Sequence, residues 1–173
     1  MIDPNTLDRP ARHERSDGLA VVSLRERIAD TAAFQGITPE CNHRYPAPLK
    51  FLIDSVYHGS RSNPVAFVTY GGLTGGLRAV EQLRQVFAEL HAVTVRDTVS
   101  VHLAWERFDA TGEPKDAVGC ATSAATMLGP LSWWAHALGH ARTQRPDGRP
   151  RPMSQLPGAR EADATLATRP SPQ

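Results

Sequence analysis

Apolar positions along the chain follow two rhythms, and the centre of the sequence shows both. Val65–Val68 is a continuous apolar run, followed by Thr69, Tyr70 and two glycine pairs, Gly71-Gly72 and Gly75-Gly76. A short apolar run bounded by glycine predicts a buried strand of the kind found in parallel sheets. Leu77, Val80, Leu83, Phe87 and Leu90 then recur every three or four residues, which predicts an amphipathic helix. Strand, glycine turn and helix make half of a βαβ unit. The turn lies at the carboxyl end of the strand, where open α/β sheets bind ligands.

The same two rhythms extend in both directions. Upstream, Leu19–Val22 is a brief apolar patch, and Ser23 with Glu26 forms a capping-box signature for a short helix through Asp30. Phe34–Thr38 is the next expected strand, interrupted by Gln35 and Gly36 and ended by Pro39. A helix is expected from Ala47 to about Tyr57, with Leu49, Leu52, Ile53 and Val56 on its apolar face and Pro48 in its first turn. His58–Asn63 reads as a turn, and Pro64 opens the central strand. Downstream, Ala92–Val95 and Val99–Leu103 flank Asp97 as a third strand, and Trp105–Lys115 is an irregular loop. A last helix is expected over Ala121–Arg142, where Pro130 costs on the order of 3 kcal/mol or forces a kink. Helices alternating with strands predict an α/β domain with a parallel sheet. The domain occupies residues 23–142, between a polar arm over 1–22 and a tail over 143–173 whose Pro, Arg, Ser and Gly content predicts disorder.

Composition narrows the classes of function. The 173 residues carry 19 basic and 18 acidic side chains, a formal net charge of +1, so charge gives no case for nucleic acid or a polybasic membrane contact. No apolar run approaches the length of a bilayer span. Cys41 and Cys120 stand far apart and outside any CxxC pair, so a reducing cytoplasm is the expected compartment.

Chemistry-bearing residues concentrate after the first two strands. Pro39-Glu40-Cys41-Asn42-His43 brings together a carboxylate, a thiol, an amide and an imidazole, while Tyr70-Gly71-Gly72 and Gly75-Gly76 form the glycine loop. A glycine loop opening a helix offers unpaired N–H groups and the positive end of a helix dipole, fit for a phosphate or the electron-rich edge of a flat ring. The same glycines would serve a tight turn. Cys41 with His43 suggests a nucleophile–base pair, but no third, orienting group is visible. His136 and His140 share a helical face at metal-ligand spacing without a third ligand, so a solvated face is the simpler reading. Trp133 and Trp134 are read as core and interface residues.

Taken with Tyr45-Pro46-Ala47-Pro48-Leu49-Lys50, Leu77–Leu83 and Met127-Leu128…Leu131-Ser132-Trp133-Trp134-Ala135, these loops resemble the NADPH-dependent FMN reductase family over about residues 24–142. The family has a flavodoxin-like three-layer fold and includes bacterial quinone, chromate and azo reductases. The resemblance implies FMN as cofactor, NADPH or NADH as electron donor, a small-molecule acceptor such as a quinone, and a homodimer or homotetramer. It places Pro39, Glu40, Cys41, Asn42 and His43 on one side of the flavin ring and Tyr70, Gly71, Gly72, Gly75 and Gly76 on the other. No side-chain acid or base is implied, because hydride passes directly to the flavin.

Two departures accompany the resemblance. Cys41 stands where the family usually has tyrosine. The Gly-Ser-x-Arg type loop that grips the FMN phosphate has no counterpart, and neither do the family's first strands, so an N-terminally truncated fold is expected. The alternative function is a truncated, non-catalytic relative that binds flavin weakly or not at all.

Overall fold

The computed structural model describes residues 2–3, 19–56 and 63–144. The expected arm lies outside these residues except at 2–3 and 19–22, the expected tail except at 143–144, and the His58–Asn63 turn except at Asn63. Contacts divide the chain into Met1–His140, which holds the sheet, and Ala141–Gln173.

Three strands, β1 (Phe34–Pro39), β2 (Pro64–Gly71) and β3 (Val93–His102), pair in parallel in the order β1-β2-β3. The side chains of β2 divide the core. Val65 and Phe67 face one way, onto Ile53 of α2 (Ala47–Ser55) and Val80 and Leu83 of α3 (Leu77–Glu89). Ala66 and Val68 face the other way, onto Met127 and Leu131 of α4 (Ala117–Gln144), joined by Val95 and Val99 of β3. Alternate residues of one strand thus bury against helices on both faces, as a parallel sheet requires. The architecture is α/β and flavodoxin-like, in three layers. A third cluster joins Leu24 and Ile28 of α1 (Leu19–Ala29) to Val56, with Ile2 packed against it.

Several boundaries differ from the sequence reading. The first helix begins at Leu19, so Ser23 is an exposed residue inside it and not its cap. The burial of Leu24 and Ile28 fixes the helix, and a capping-box spelling can occur within it by chance. The last helix starts at Ala117, runs through Pro130 and ends at Gln144. Met127 and Leu131, on either side of the proline, are both buried, and that packing offsets the hydrogen bond the proline cannot donate. The third strand is one piece. Between Val65↔Thr94 and Phe67↔Thr98 it advances four residues against two, and this bulge absorbs Asp97. Arg84 of α3 reaches the bulge and donates to the carbonyls of Val95 and Arg96, each at 2.8 Å.

In β1, Gly36 lies opposite Phe67, and a β-carbon there would sit 3.3 Å from the Phe67 ring. The interruption that weakened the strand in the sequence is therefore the space into which the central aromatic packs. Among the described residues β1 pairs on one side only, and Ile37 is 60% exposed. A cavity of about 610 Å³ runs along this free edge, walled by Phe34, Leu49, Leu52, Val56 and Tyr70 among others.

Candidate functional site

The parallel register brings the carboxyl ends of β1 and β2 side by side, with Thr38 opposite Thr69 and Pro39 opposite Tyr70. Thr69 Oγ1 donates to the Thr38 carbonyl at 3.0 Å, a buried bond that fixes the separation at which the two loops emerge. The loops then join directly. Glu40 N donates to the Tyr70 carbonyl at 3.0 Å, and Thr74 Oγ1 donates to Glu40 Oε2 at 2.7 Å. Arg78, in the first turn of α3, stands 3.6 Å from Glu40 Oε1. The Glu40 carboxylate is only 10% exposed. It clamps the two loops together and so is already engaged on the protein side.

Cys41 to Arg44 form a tight two-residue hairpin, with Cys41 N donating to the Arg44 carbonyl at 2.7 Å and Arg44 N to the Cys41 carbonyl at 3.0 Å. Its central residues, Asn42 and His43, have φ of 49° and 70°. Positive φ at both positions is the geometry of a type I′ turn, which suits asparagine well and histidine less so. Cys41, Asn42 and His43 are all exposed at this tip. The structure gives no hydrogen bond between the Cys41 thiol and the His43 ring, so the pairing suggested by their spacing has no contact behind it.

Glycine has two different uses across the way. Gly75 and Gly76 have φ of 57° and 87°, and a β-carbon on Gly76 would meet the Thr69 hydroxyl and come within 3.0 Å of Tyr70 N. Gly71 and Gly72 do not have positive φ. Gly71 is required by contact, since a β-carbon there would lie 3.3 Å from Gly76 N and 3.5 Å from Glu40 Cβ. Gly72 faces only the Trp105 ring, 3.6 Å from where its β-carbon would be.

The loop is held from behind by the end of β3. Leu103 N donates to the Gly72 carbonyl at 3.1 Å, Ser100 Oγ donates to the Gly75 carbonyl at 3.0 Å, and His102 Nδ1 lies 2.8 Å from the Leu73 carbonyl. In a planar trans peptide the N–H points opposite to the C=O. Three carbonyls turned toward β3 therefore direct the amides of Leu73, Thr74 and Gly76 away from it. Among the described residues these three amides have no hydrogen-bond partner. Together with the amino end of α3 they form a cluster of donors suited to an anion or an electron-rich ring edge. Tyr70 and Trp105 add aromatic surface beside them, 41% and 69% exposed.

Of the ten residues expected at the site, Pro39, Glu40 and the five of the glycine loop come together, while Cys41, Asn42 and His43 form the neighbouring exposed tip. Only Pro39 and Tyr70 also line the cavity along β1. Sequence reasoning missed Ser100, His102, Thr74, Arg78 and Trp105. The available signal for the first two was register, because in a parallel sheet the third strand ends beside the glycine loop, with Gly71 opposite His102. His136 Nδ1 donates to the Ser132 carbonyl at 2.7 Å and is exposed. Among the described residues no group of three or more metal-ligating side chains comes together.

The sequence model of the NADPH-dependent FMN reductase family matches residues 1–106. The chain belongs to this family. The match starts upstream of the resemblance read from residue 24 and ends before α4. An NAD(P)H-dependent FMN reductase of Schizosaccharomyces pombe is 40% identical over 60 residues, 35% of this chain and 30% of that protein. An enzyme of the same description from Saccharomyces cerevisiae is 44% identical over 50 residues, 29% of this chain and 26% of its own. A probable NADPH:quinone oxidoreductase of rice is 32% identical over 104 residues, 57% of this chain and 53% of that one. The chain thus spans between about a quarter and a half of the curated relatives it matches. Among solved structures, the flavoenzyme NAD(P)H:(acceptor) oxidoreductase FerB of Paracoccus denitrificans superposes with a TM-score of 0.55 at 21% identity, covering 77% of this chain and 76% of that one. The flavodiiron core of Flv1 from Synechocystis gives 0.51 at 17% identity, covering 81% of this chain and 28% of that one. Both share the fold.

Proposed function

We propose that the chain is an FMN-dependent NAD(P)H oxidoreductase that passes electrons from a nicotinamide cofactor to a small acceptor such as a quinone. The observation that carries this reading is the set of three amides without a hydrogen-bond partner among the described residues, those of exposed Leu73, half-buried Thr74 and buried Gly76, at the carboxyl ends of the strands. Flavin, when bound, supplies the two-electron chemistry, accepting hydride and passing electrons on. The protein's part is to hold the ring. The glycine-loop amides would hold its polar edge, the Glu40 clamp keeps the two loops in register, and Tyr70 and Trp105 would supply flat apolar surface. No residue of the site need carry a proton for hydride transfer, which suits a loop built from backbone donors. A homodimer or homotetramer in the cytoplasm is part of the same reading, supported by the exposed apolar residues Ile37, Leu73 and Trp133. No helix among the described residues is long and apolar enough to cross a membrane.

The experiment is to purify the full chain, pass it over a desalting column with added FMN, and assay NAD(P)H oxidation with a quinone. The reading expects a yellow protein whose NAD(P)H oxidation depends on FMN. A colourless protein that takes up no FMN overturns it. That result favours the second reading, a non-catalytic relative that binds flavin weakly or not at all. The observation behind this alternative is that β1, the strand that supports the site, is paired on one side only among the described residues.

A further inference from the structure

Ser100 and His102 sit two residues apart on β3, on the side that meets the glycine loop. Ser100 Oγ lies 3.0 Å from the Gly75 carbonyl and 3.2 Å from His102 Nε2, and His102 Nδ1 lies 2.8 Å from the Leu73 carbonyl. Counting protons decides what the ring must be. A carbonyl only accepts, so Nδ1 carries a hydrogen for Leu73. The single Ser100 hydrogen goes to Gly75. The Ser100 oxygen then has only lone pairs to offer Nε2, so the third bond forms only if Nε2 carries a hydrogen as well. All three contacts are made together only by the doubly protonated imidazolium. In the neutral ring with its hydrogen on Nδ1, Ser100 must choose between Gly75 and Nε2, and one bond is lost.

We propose that Ser100 and His102 are positioning residues for the ring-edge amides of the glycine loop, forming a latch that is complete when His102 is charged and loosens when it is neutral. The latch rests on the flavin reading for its purpose, though not for its geometry. Through Gly75 it fixes the peptide that presents the Gly76 amide, and through Leu73 the one that presents the Thr74 amide. Few other ionisable groups adjoin the ring. Its register neighbour on β2 is Gly71, the loop itself offers Leu73, Thr74 and glycines, and Glu40 beyond Thr74 is held by Thr74 and Arg78. From the turn that follows, Arg107 Nε donates to the His102 carbonyl at 3.1 Å, with Glu106 beside it. On β3 itself, Asp97 lies near Arg96, at 3.7 Å.

The test uses the full chain, first without flavin. Amide resonances of Thr74 and Gly76 are followed by NMR alongside the His102 ring as pH is raised from about 5.5 to about 8. The latch predicts that the Gly76 amide moves with the same midpoint as the His102 ring. In Ser100→Ala that coupling should vanish at Gly76. In His102→Asn, which keeps a donor near the Nδ1 position but cannot titrate, both amides should be indifferent to pH. A Gly76 amide that ignores the ring in the parent, or still follows it in Ser100→Ala, overturns the latch. FMN is then titrated at the same two pH values. The parent should bind about fivefold more weakly at the higher pH, the effect of one lost hydrogen bond, and His102→Asn equally at both. Equal parent affinity at both pH values overturns the positioning role. No FMN uptake at either pH, with the amide pattern intact, overturns the flavin reading and leaves the latch standing.

Discussion

At the scale of single residues, the two glycine pairs separate conformation from contact. Gly76 has positive φ, and a β-carbon there would press on Thr69 and Tyr70 N, so Gly76→Ala combines backbone strain with a backbone clash. A loss of about 2–4 kcal/mol is expected, together with loss of FMN uptake. Gly72→Ala meets only the edge of Trp105 at 3.6 Å and should stay within about 0.5 kcal/mol of the parent. Urea denaturation of the two variants checks the pair. Equal midpoints would mean that the loop does not need its left-handed turn. Asp109 gives a pH prediction at the same scale. The Thr111 hydroxyl at 2.7 Å, then the amides of Glu113 and Thr111, donate to its carboxylate and hold its pKa below the ordinary 3.8. A depressed folded pKa stabilises the turn above the unfolded value, and that stability is lost as pH falls through the folded one. The Thr111 and Glu113 amides should therefore loosen only on acidification below about 3.8, read by amide exchange. Asp109→Asn should have them loose at every pH.

At the scale of elements, what the sequence spelled out locally was recoverable from it, and what depended on pairing was not. The apolar run of β2 and the three-to-four spacing of α3 are decided by their own residues; α3 begins at Leu77 as expected, and β2 starts at Pro64 and runs three residues past Val68, to Gly71. Gly36 misled because its reason is the Phe67 ring on the neighbouring strand. The third strand around Asp97 was read from its own residues, but the bulge that carries Asp97 past the register was not. The two loops were legible as a site because glycine and polar residues follow the strands directly. The latch from Ser100 and His102 was not, since 25 residues separate Ser100 from the carbonyl it holds. The bulge also makes a prediction. Arg84 donates to two carbonyls at the bulge, and it lies 6.0 Å from the centre of the Phe67 ring. Arg84→Met keeps much of the packing but removes the donors. It should cost about 1–3 kcal/mol, with Arg84→Lys intermediate because one ammonium cannot serve both carbonyls with the same planar fork. An unchanged unfolding midpoint in Arg84→Met would mean that water satisfies the bulge equally well.

At the scale of the whole molecule, the two sides of the sheet are unequally finished. β2 is buried on both faces and paired on both edges, whereas β1 is paired only with β2 among the described residues and leaves Ile37 60% exposed. An unpaired strand edge beside apolar surface is a template for further strand pairing, and soluble proteins usually blunt such edges with charge or proline. Here the edge carries Gln35, Gly36 and Ile37 with no charge, and only Pro39 at its end interrupts the row of donors. Self-association through β1 is the expected outcome, and it should depend on protein concentration. Ile37→Lys puts a charge at the centre of that edge without touching the core, since the side chain already faces solvent. It should leave the unfolding midpoint within about 0.5 kcal/mol of the parent while moving the sedimentation profile toward monomer. The joint readout gives the test its force. A parent that sediments as a monomer at all concentrations, or a variant that associates as the parent does, would show that another surface carries the contact. The nearest alternative is then the exposed Trp133 and Leu128 of α4. If the edge does carry it, flavin affinity should rise with protein concentration in the parent alone. The strand that closes on a second copy is the one that ends at Pro39 and the Glu40 clamp, so ordering its edge also orders the loop that faces the ring.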